Sequence, residues 1–456
     1  MGYIHPAKVS GHWEIAEVEQ CPLFSGDVAM SKELAFVLIN PYTIAKSRTG
    51  GVIARFIGRT NLELAGARMF GPSKELATAY ADMVRGADSA NAHTCGLIAD
   101  YITEHYIPDP ATGRPHRVMM LLFEGENAVE QIWRVTGSAT LREDCGETIR
   151  DTYGDYVLDE ENNVRYFEPA VLVAPSKSRA AATLGLWSRY SSSDGGIIDS
   201  AKDVPHGNQI EKTLVLIKPD NFRFPSSKPG NIIDILSMSG LRIVAVRKIC
   251  MTVKQAEEFY GPVRETLADK FGDIGGARAA RALGKEFGFT IPVEAMDSVC
   301  KQLGPVFAET QFEEIVKFMT GRRPSECSEF EKCRPGEEAC LALVYEGADA
   351  VAKIRSILGT TDPNKAKPGS VRREFGTDVM VNAAHASDSP ERALEEIAIL
   401  RIEQDSVKPL LDAYYGGPLS KVSALRDLVP EAGCRFLKKV RERWETARSS
   451  TRGLER

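Results

Sequence analysis

The chain has 456 residues, which at about 150 per domain points to two or three domains, and its 43% hydrophobic and 26% charged residues lie near the globular average. A net charge of −6 argues against wholesale electrostatic binding to nucleic acid or acidic lipid. No segment approaches the roughly 18 apolar residues of a membrane span, and the first 29 residues are broken by Pro6, Glu14, Glu17, Glu19 and Asp27; neither a secretory leader nor a membrane anchor is expected, and a cytoplasmic protein is. Nine cysteines without a Cys-x-x-Cys pair read as free thiols and predict no metal centre.

After an N-terminal extension (1–32), Phe36–Pro41 reads FVLINP, a strand closed by a turn former. EGENAVEQI then starts at Glu124 and runs on to Gly137, and ETIRDTYG starts at Glu147. A stretch rich in Ser, Gly and Asp, containing SSSDGG, predicts a linker over 188–211. Beyond it the boxes return in the same order: LVLIKP at Leu214–Pro219, EGADAVAKI from Glu346 to Gly359, and GSVRREFG from Gly369. Glu124 and Glu346 are 222 positions apart, as are Arg150 and Arg372, so the chain is internally duplicated, with copies over 33–187 and 212–403.

In the second copy Lys212–Lys218 predicts a strand, and Pro229 opens an amphipathic helix ended by Gly240. Leu241–Met251 alternates as a half-buried strand, and Thr252 with Gln255 forms a capping box before the helix that carries Tyr260. Strands over Cys340–Tyr345 and Val379–Val381 flank a helix over Ala348–Leu358, and Ser389 caps a helix starting at Pro390. The order β, α, β, α, β, α, β with a closing helix predicts an α+β chain of two tandem ferredoxin-like (split βαβ) units. The second copy is longer by roughly 42 residues between its tyrosine and its Glu-Gly box, which predicts insertions at about 261–310 and 322–335, with a helix over Gly276–Phe289. The remainder, 404–456, predicts a helical extension with helices over Ser420–Leu428 and Glu431–Thr446. From Pro430 on, eight Lys or Arg oppose four Glu, a solvated face or a contact for an acidic partner.

Only His385 follows position 206 among the histidines, so any histidine chemistry of the second copy falls to it. It sits between a strand and a capped helix, while Lys218, Arg355 and Arg372 lie at or near element ends that one cleft can gather. Guanidinium forks and a lysine are the groups that hold phosphates, and an imidazole among them is a nucleophile able to accept a phosphoryl group. With the Lys-Pro-Asp box at Lys218 and the Asn-x-x-His-x-Ser-Asp-Ser box ending at Ser389, the second copy resembles the nucleoside diphosphate kinase family. The resemblance implies transfer of the γ-phosphate of a nucleoside triphosphate such as ATP to a diphosphate through His385. It also implies Glu396 orienting the ring, Ser387 supporting it, and Lys218, Tyr260, Phe312, Arg355, Thr361, Arg372 and Asn382 holding nucleotide with its Mg²⁺. Ala386 stands where the family has glycine, and Gln311 and Phe312 lie near the place of the base-stacking aromatic. In the first copy Asn40 replaces Lys218 and Trp133 replaces Arg355, and no histidine lies between His116 and His206. Arg150 matches Arg372 and Tyr80 matches Tyr260, so the first copy is expected to be a degenerate, non-catalytic relative. Tandem copies of this kind resemble the multi-domain members of cilia and flagella. That implies an alternative: a non-catalytic scaffold at axonemal microtubules or another cytoskeletal protein. Under either reading the resemblance implies that the two copies pair within one chain or that the chain forms a homo-oligomer.

Overall fold

The computed structural model describes residues 32–88, 91–140, 146–205, 207 and 210–415; the N-terminal extension and the helices expected over Ser420–Leu428 and Glu431–Thr446 lie outside the described residues. The strands of the first half are β1 (Glu33–Ile39), β2 (Glu63–Phe70), β3 (Val118–Gly125), β4 (Asp155–Leu158), β5 (Val164–Glu168) and β6 (Val171–Val173). Those of the second half are β7 (Ile210–Ile217), β8 (Arg242–Ile249), β9 (Cys340–Ala348) and β10 (Ala384–Ala386).

Each half builds a four-stranded sheet, in the order β2-β3-β1-β6 and β8-β9-β7-β10, and β4 with β5 forms a hairpin inserted before β6. Every neighbouring pair is antiparallel, which is the ferredoxin-like arrangement predicted, realised twice. The central strands are apolar without alternation, Leu34–Ile39 and Leu214–Ile217 being buried throughout, because both faces of each sheet are covered. Fine detail repeats as well. The third-strand helices, Ala128–Thr136 and Ala350–Leu358, end at Gly137 and Gly359 with φ of +81° and +82°. A Cβ at Gly359 would fall 2.7 Å from Ser370 Oγ, and one at Gly137 2.3 Å from Thr148 Oγ1, so only glycine fits both the backbone and the space.

The halves pack against each other within the chain through equivalent elements. Helix Thr49–Arg59 of the first half lies on helix Lys228–Leu236 of the second, and β2 lies beside β8. The segment predicted as a linker is not a solvated tether. Ile198 N donates to Val244 O at 2.8 Å and Gly196 N to Met69 O at 3.0 Å, which wedges it between β2 and β8, and Ser191, Ala201 and Val204 are buried. Its small residues admit this close backbone contact, the same composition that reads as a loop in sequence. Helix Val407–Tyr415 then returns to the first half, where Tyr415 Oη donates to Leu34 O at 2.6 Å.

Within the second half, the capping box of Thr252 with Gln255 and the Ser389 cap on Pro390–Ile399 are both formed. The insertion consists of helices Val263–Asp269, Ala277–Phe287 and the first part of Val293–Thr320. Val379–Val381, expected as a strand, is a turn, because the Asp378 carboxylate accepts from the Met380 and Val381 amides at 2.8 Å each. The fourth strand is instead Ala384–Ala386, so His385 stands within it rather than beyond its end. No described helix is long and apolar enough to cross a membrane.

Candidate active site

His385 pairs with Leu216 on the edge strand β10, placed by Ala383, whose φ of +69° turns the chain into the ladder. The ring is 24% exposed and is flanked edge-on by Phe259, with centroids 5.0 Å apart, and Tyr260 at 6.2 Å. Its Nε2 is 3.0 Å from Glu396 Oε1, and Ser387 Oγ donates to Glu396 Oε2 at 2.7 Å. Ser387 is held in turn by the Leu214 amide, which donates to its Oγ at 3.2 Å. Burial works to raise the Glu396 pKa, but the hydrogen bonds from His385 and Ser387 and the Arg392 charge outweigh it, and the carboxyl is held below its ordinary range. An ionised Glu396 selects the tautomer with the proton on Nε2 and leaves the Nδ1 lone pair free.

Cations gather beside this strand. Lys218, at the end of β7, donates from Nζ to Asn382 Oδ1 at 2.6 Å and to Met380 O at 3.1 Å. Burial, reinforced by the Arg372 charge, pushes its ammonium down to about 8. Arg372 donates from Nη1 to Gly359 O at 2.9 Å and from Nη2 to Ala384 O at 3.1 Å, one residue from the histidine. Burial and then the neighbouring Arg355 push its pKa down to about 10. Arg355, Thr361, Lys367, Arg372 and Ala386 line one cavity of about 340 Å³, and Asn382 Nδ2 donates to Thr361 O at 3.2 Å. Arg355, Lys367 and Arg372 thus share one cavity beside β10, and Lys218 is linked to it through Asn382; a lining with three cations suits an anion.

Two expected residues stand differently. Phe312 is fully buried and the Arg264 guanidinium covers its ring at 3.5 Å, so that face is closed to a base: the ring packs into the core behind the site. Tyr260 is also buried, its hydroxyl unpaired among the described residues.

The family described as "Nucleoside diphosphate kinase" matches residues 211–270 and 330–405. A nucleoside diphosphate kinase of Acidiphilium cryptum (strain JF-5) is 32% identical over 188 residues, 41% of this chain and 91% of its own length. One from Desulfotalea psychrophila is 29% identical over 188 residues, covering 93% of that protein.

The chain belongs to the nucleoside diphosphate kinase family.

A solved structure of the Aquifex aeolicus nucleoside diphosphate kinase is matched at 28% identity, over 42% of this chain and 94% of that one, with a TM-score of 0.26; the fold itself is read from the two sheets. The family match omits 271–329, the stretch that holds helix Ala277–Phe287 and the whole of Val293–Thr320, Phe312 included. Sequence reasoning missed three contributors to this kinase-family site. Arg392 reaches Glu396 Oε1 at 3.4 Å, a pairing signalled by i,i+4 spacing on a capped helix. Lys367 joins the cavity lining from a loop that carries no signal of its own, and Phe259 touches the histidine from beside the tyrosine that drew the attention.

Proposed function

We propose that the second half is a nucleoside diphosphate kinase working through a phosphohistidine at His385. The observation that carries this reading is the orientation of His385: Nε2 is anchored on buried Glu396, which leaves Nδ1 as the nitrogen for attack, on a strand whose neighbouring residues meet the cations, Ala384 O accepting from Arg372 and Ala386 lining the cavity of Arg355 and Arg372. In the first step the Nδ1 lone pair attacks the γ-phosphorus of the triphosphate, an N–P bond forms, and the bond to the β-phosphate oxygen breaks to release the diphosphate. In the second, a terminal oxygen of an acceptor diphosphate attacks that phosphorus and the N–P bond breaks. Glu396 offsets the positive charge that the ring acquires, as an orienting carboxylate does in other histidine sites.

Lys218, Arg355 and Arg372 supply cationic donors for the phosphates, with Thr361 and Asn382 beside them. This donor set fits a polyphosphate, and Mg²⁺ arriving with the nucleotide would supply further neutralisation of the charge that develops during transfer. Incubating the full chain with γ-labelled ATP tests the proposal: acid-labile label on wild type, none on His385→Ala, and onward transfer to an added diphosphate are expected. Bound nucleotide without label would refute it. The scaffold reading, at an axoneme as the tandem arrangement implies, is favoured by one observation, the replacement of the nucleophile by Leu172 in the first half. Co-sedimentation with microtubules that persists in His385→Ala supports that reading.

A further inference from the structure

The first half repeats the frame of the site without its reacting groups. Leu172 of β6 pairs with Leu38 of β1 as His385 pairs with Leu216. Leu172 and His385 are 213 positions apart, as are the caps Ser176 and Ser389, and the same offset sets Ala174 opposite Ser387 and Thr183 opposite Glu396. Asn40, in the place of Lys218, is bound to Glu168 at 3.1 Å and accepts from Tyr106 Oη at 2.8 Å. Of the three cations only the arginine is kept, and Tyr80 stands in the place of Tyr260. Arg150 donates to Gly137 O at 2.8 Å and Val171 O at 3.1 Å, the contacts that Arg372 makes to Gly359 and Ala384.

These exchanges leave a cavity of about 650 Å³, against about 340 Å³ in the second half. That volume is within the span of small-molecule sites, ~300–1,000 Å³. Met83, Val84, Ile98, Trp133 and Leu172 give it apolar walls, and Trp133 is 43% exposed, its ring surface available to the lining. Arg150 lines the same cavity and is 6% exposed, and it has no ion pair among the described residues. Burial pushes its guanidinium down to about 10, and its carbonyl contacts leave N–H groups of the five-donor fork unused. A buried cation without a counter-charge is stabilised by an incoming anion. With asparagine and tryptophan in place of lysine and arginine, and with Asp88 and Glu147 balancing Arg134 and Arg179 in the lining, the charge suits one anionic group rather than a triphosphate.

We infer that this cleft is a second, non-catalytic ligand site that takes a small aromatic monoanion, its acidic group against Arg150 and its ring against Trp133 and Leu172. The inference is independent of turnover at His385. It is tested on the full chain with 8-anilinonaphthalene-1-sulfonate, in saturating MgATP to occupy the second-half site, read by fluorescence titration. Saturable one-to-one binding is expected, unchanged in His385→Ala and weakened at least tenfold in Trp133→Ala and in the cavity-filling Ile98→Trp. Both variants are checked for wild-type thermal unfolding. The uncharged N-phenyl-1-naphthylamine is expected to bind at least tenfold more weakly, which reads the Arg150 charge without disturbing the carbonyls that it holds. Binding that is competed by ATP, binding unaltered in both folded variants, or equal affinity for the neutral probe would overturn the inference.

Discussion

Gly50 and Gly230 meet where the two halves cross. A Cβ on Gly50 would lie 2.4 Å from Asp234 N, and one on Gly230 2.3 Å from Ala54 N, so each glycine admits the backbone of the partner helix. The helices both lie between the first and second strands of their sheets, and their reciprocal contact relates the halves as the subunits of a symmetric dimer are related.

Gly230→Ala therefore forces these helices apart. Although alanine is the better helix former, the clash is with backbone and no side-chain rotation relieves it. A loss of about 1–3 kcal/mol, the usual cost of overpacking, is expected in denaturant unfolding. Gly240→Ala serves as a comparison: it meets no atom within 4 Å, and its cost comes only from the left-handed backbone at φ +69°.

The chain's architecture was legible wherever local chemistry and tertiary demand agreed. Thr252 with Gln255, Ser389 with Pro390, and the paired boxes 222 positions apart all carry their structural reason in their own residues. The fourth strand was not legible, since Ala384, His385 and Ala386 have no strand preference and become a strand only by pairing with β7. The valines at 379 and 381 pointed to the wrong place because Asp378 captures their amides into a turn. The counterpart of His385 in the first half was hidden for a different reason: the β4–β5 hairpin changes the offset from 222 to 213 just before Leu172. Phe312 was misplaced because sequence cannot tell which of two adjacent residues on an inserted helix faces the core.

Asp203 anchors the wedge segment to the first half. It pairs with Arg117, whose side chain is 1% exposed, and Arg117 also donates to Ile243 O of β8. Asp203→Asn leaves that guanidinium without its counter-charge, and a loss of about 3 kcal/mol is expected. Burial works to raise the Asp203 pKa, but the Arg117 hydrogen bond and charge win and lower it. The stability from this pair is thus present above the ordinary aspartate pKa and lost as pH falls through the lowered one. Acid unfolding of wild type and variant should converge below that point, which paired pH titrations of unfolding would measure.

Lys218 gives the site a pH dependence at the alkaline side. With its pKa pushed down to about 8, the free protein loses this charge as pH rises from 7 to 9. For stability the sign is the reverse of a paired lysine: burying the ammonium costs folding energy below about 8, and the cost fades towards the ordinary value of 10.5. For a phosphate ligand the charge is favourable, so kcat/KM for the triphosphate is expected to fall above an inflection near 8, while kcat stays flatter because bound phosphate stabilises the ammonium. Lys218→Met should remove the inflection and raise KM. An inflection unmoved by that substitution would assign it to another group.

Glu396 is the last group whose role separates geometry from charge. Its carboxylate takes His385 Nε2 at 3.0 Å, Ser387 Oγ at 2.7 Å and Arg392 Nε at 3.4 Å, so one residue joins the proposed nucleophile, its strand and the following helix. Glu396→Gln keeps the size and removes the charge; the amide can also present its NH₂ to the ring, which would favour the tautomer with the proton on Nδ1 and mask the attacking lone pair. A 10- to 100-fold drop in label transfer is expected, roughly the scale for losing a partner that orients a histidine, with nucleotide affinity little changed because the proposed phosphate donors are Lys218, Arg355 and Arg372 instead. Ser387→Ala should cost less, since the ring keeps its anchor. Single-turnover labelling together with equilibrium nucleotide binding distinguishes the two effects, and a Glu396→Gln protein that labels at the wild-type rate would show that the carboxylate serves only to join strand and helix.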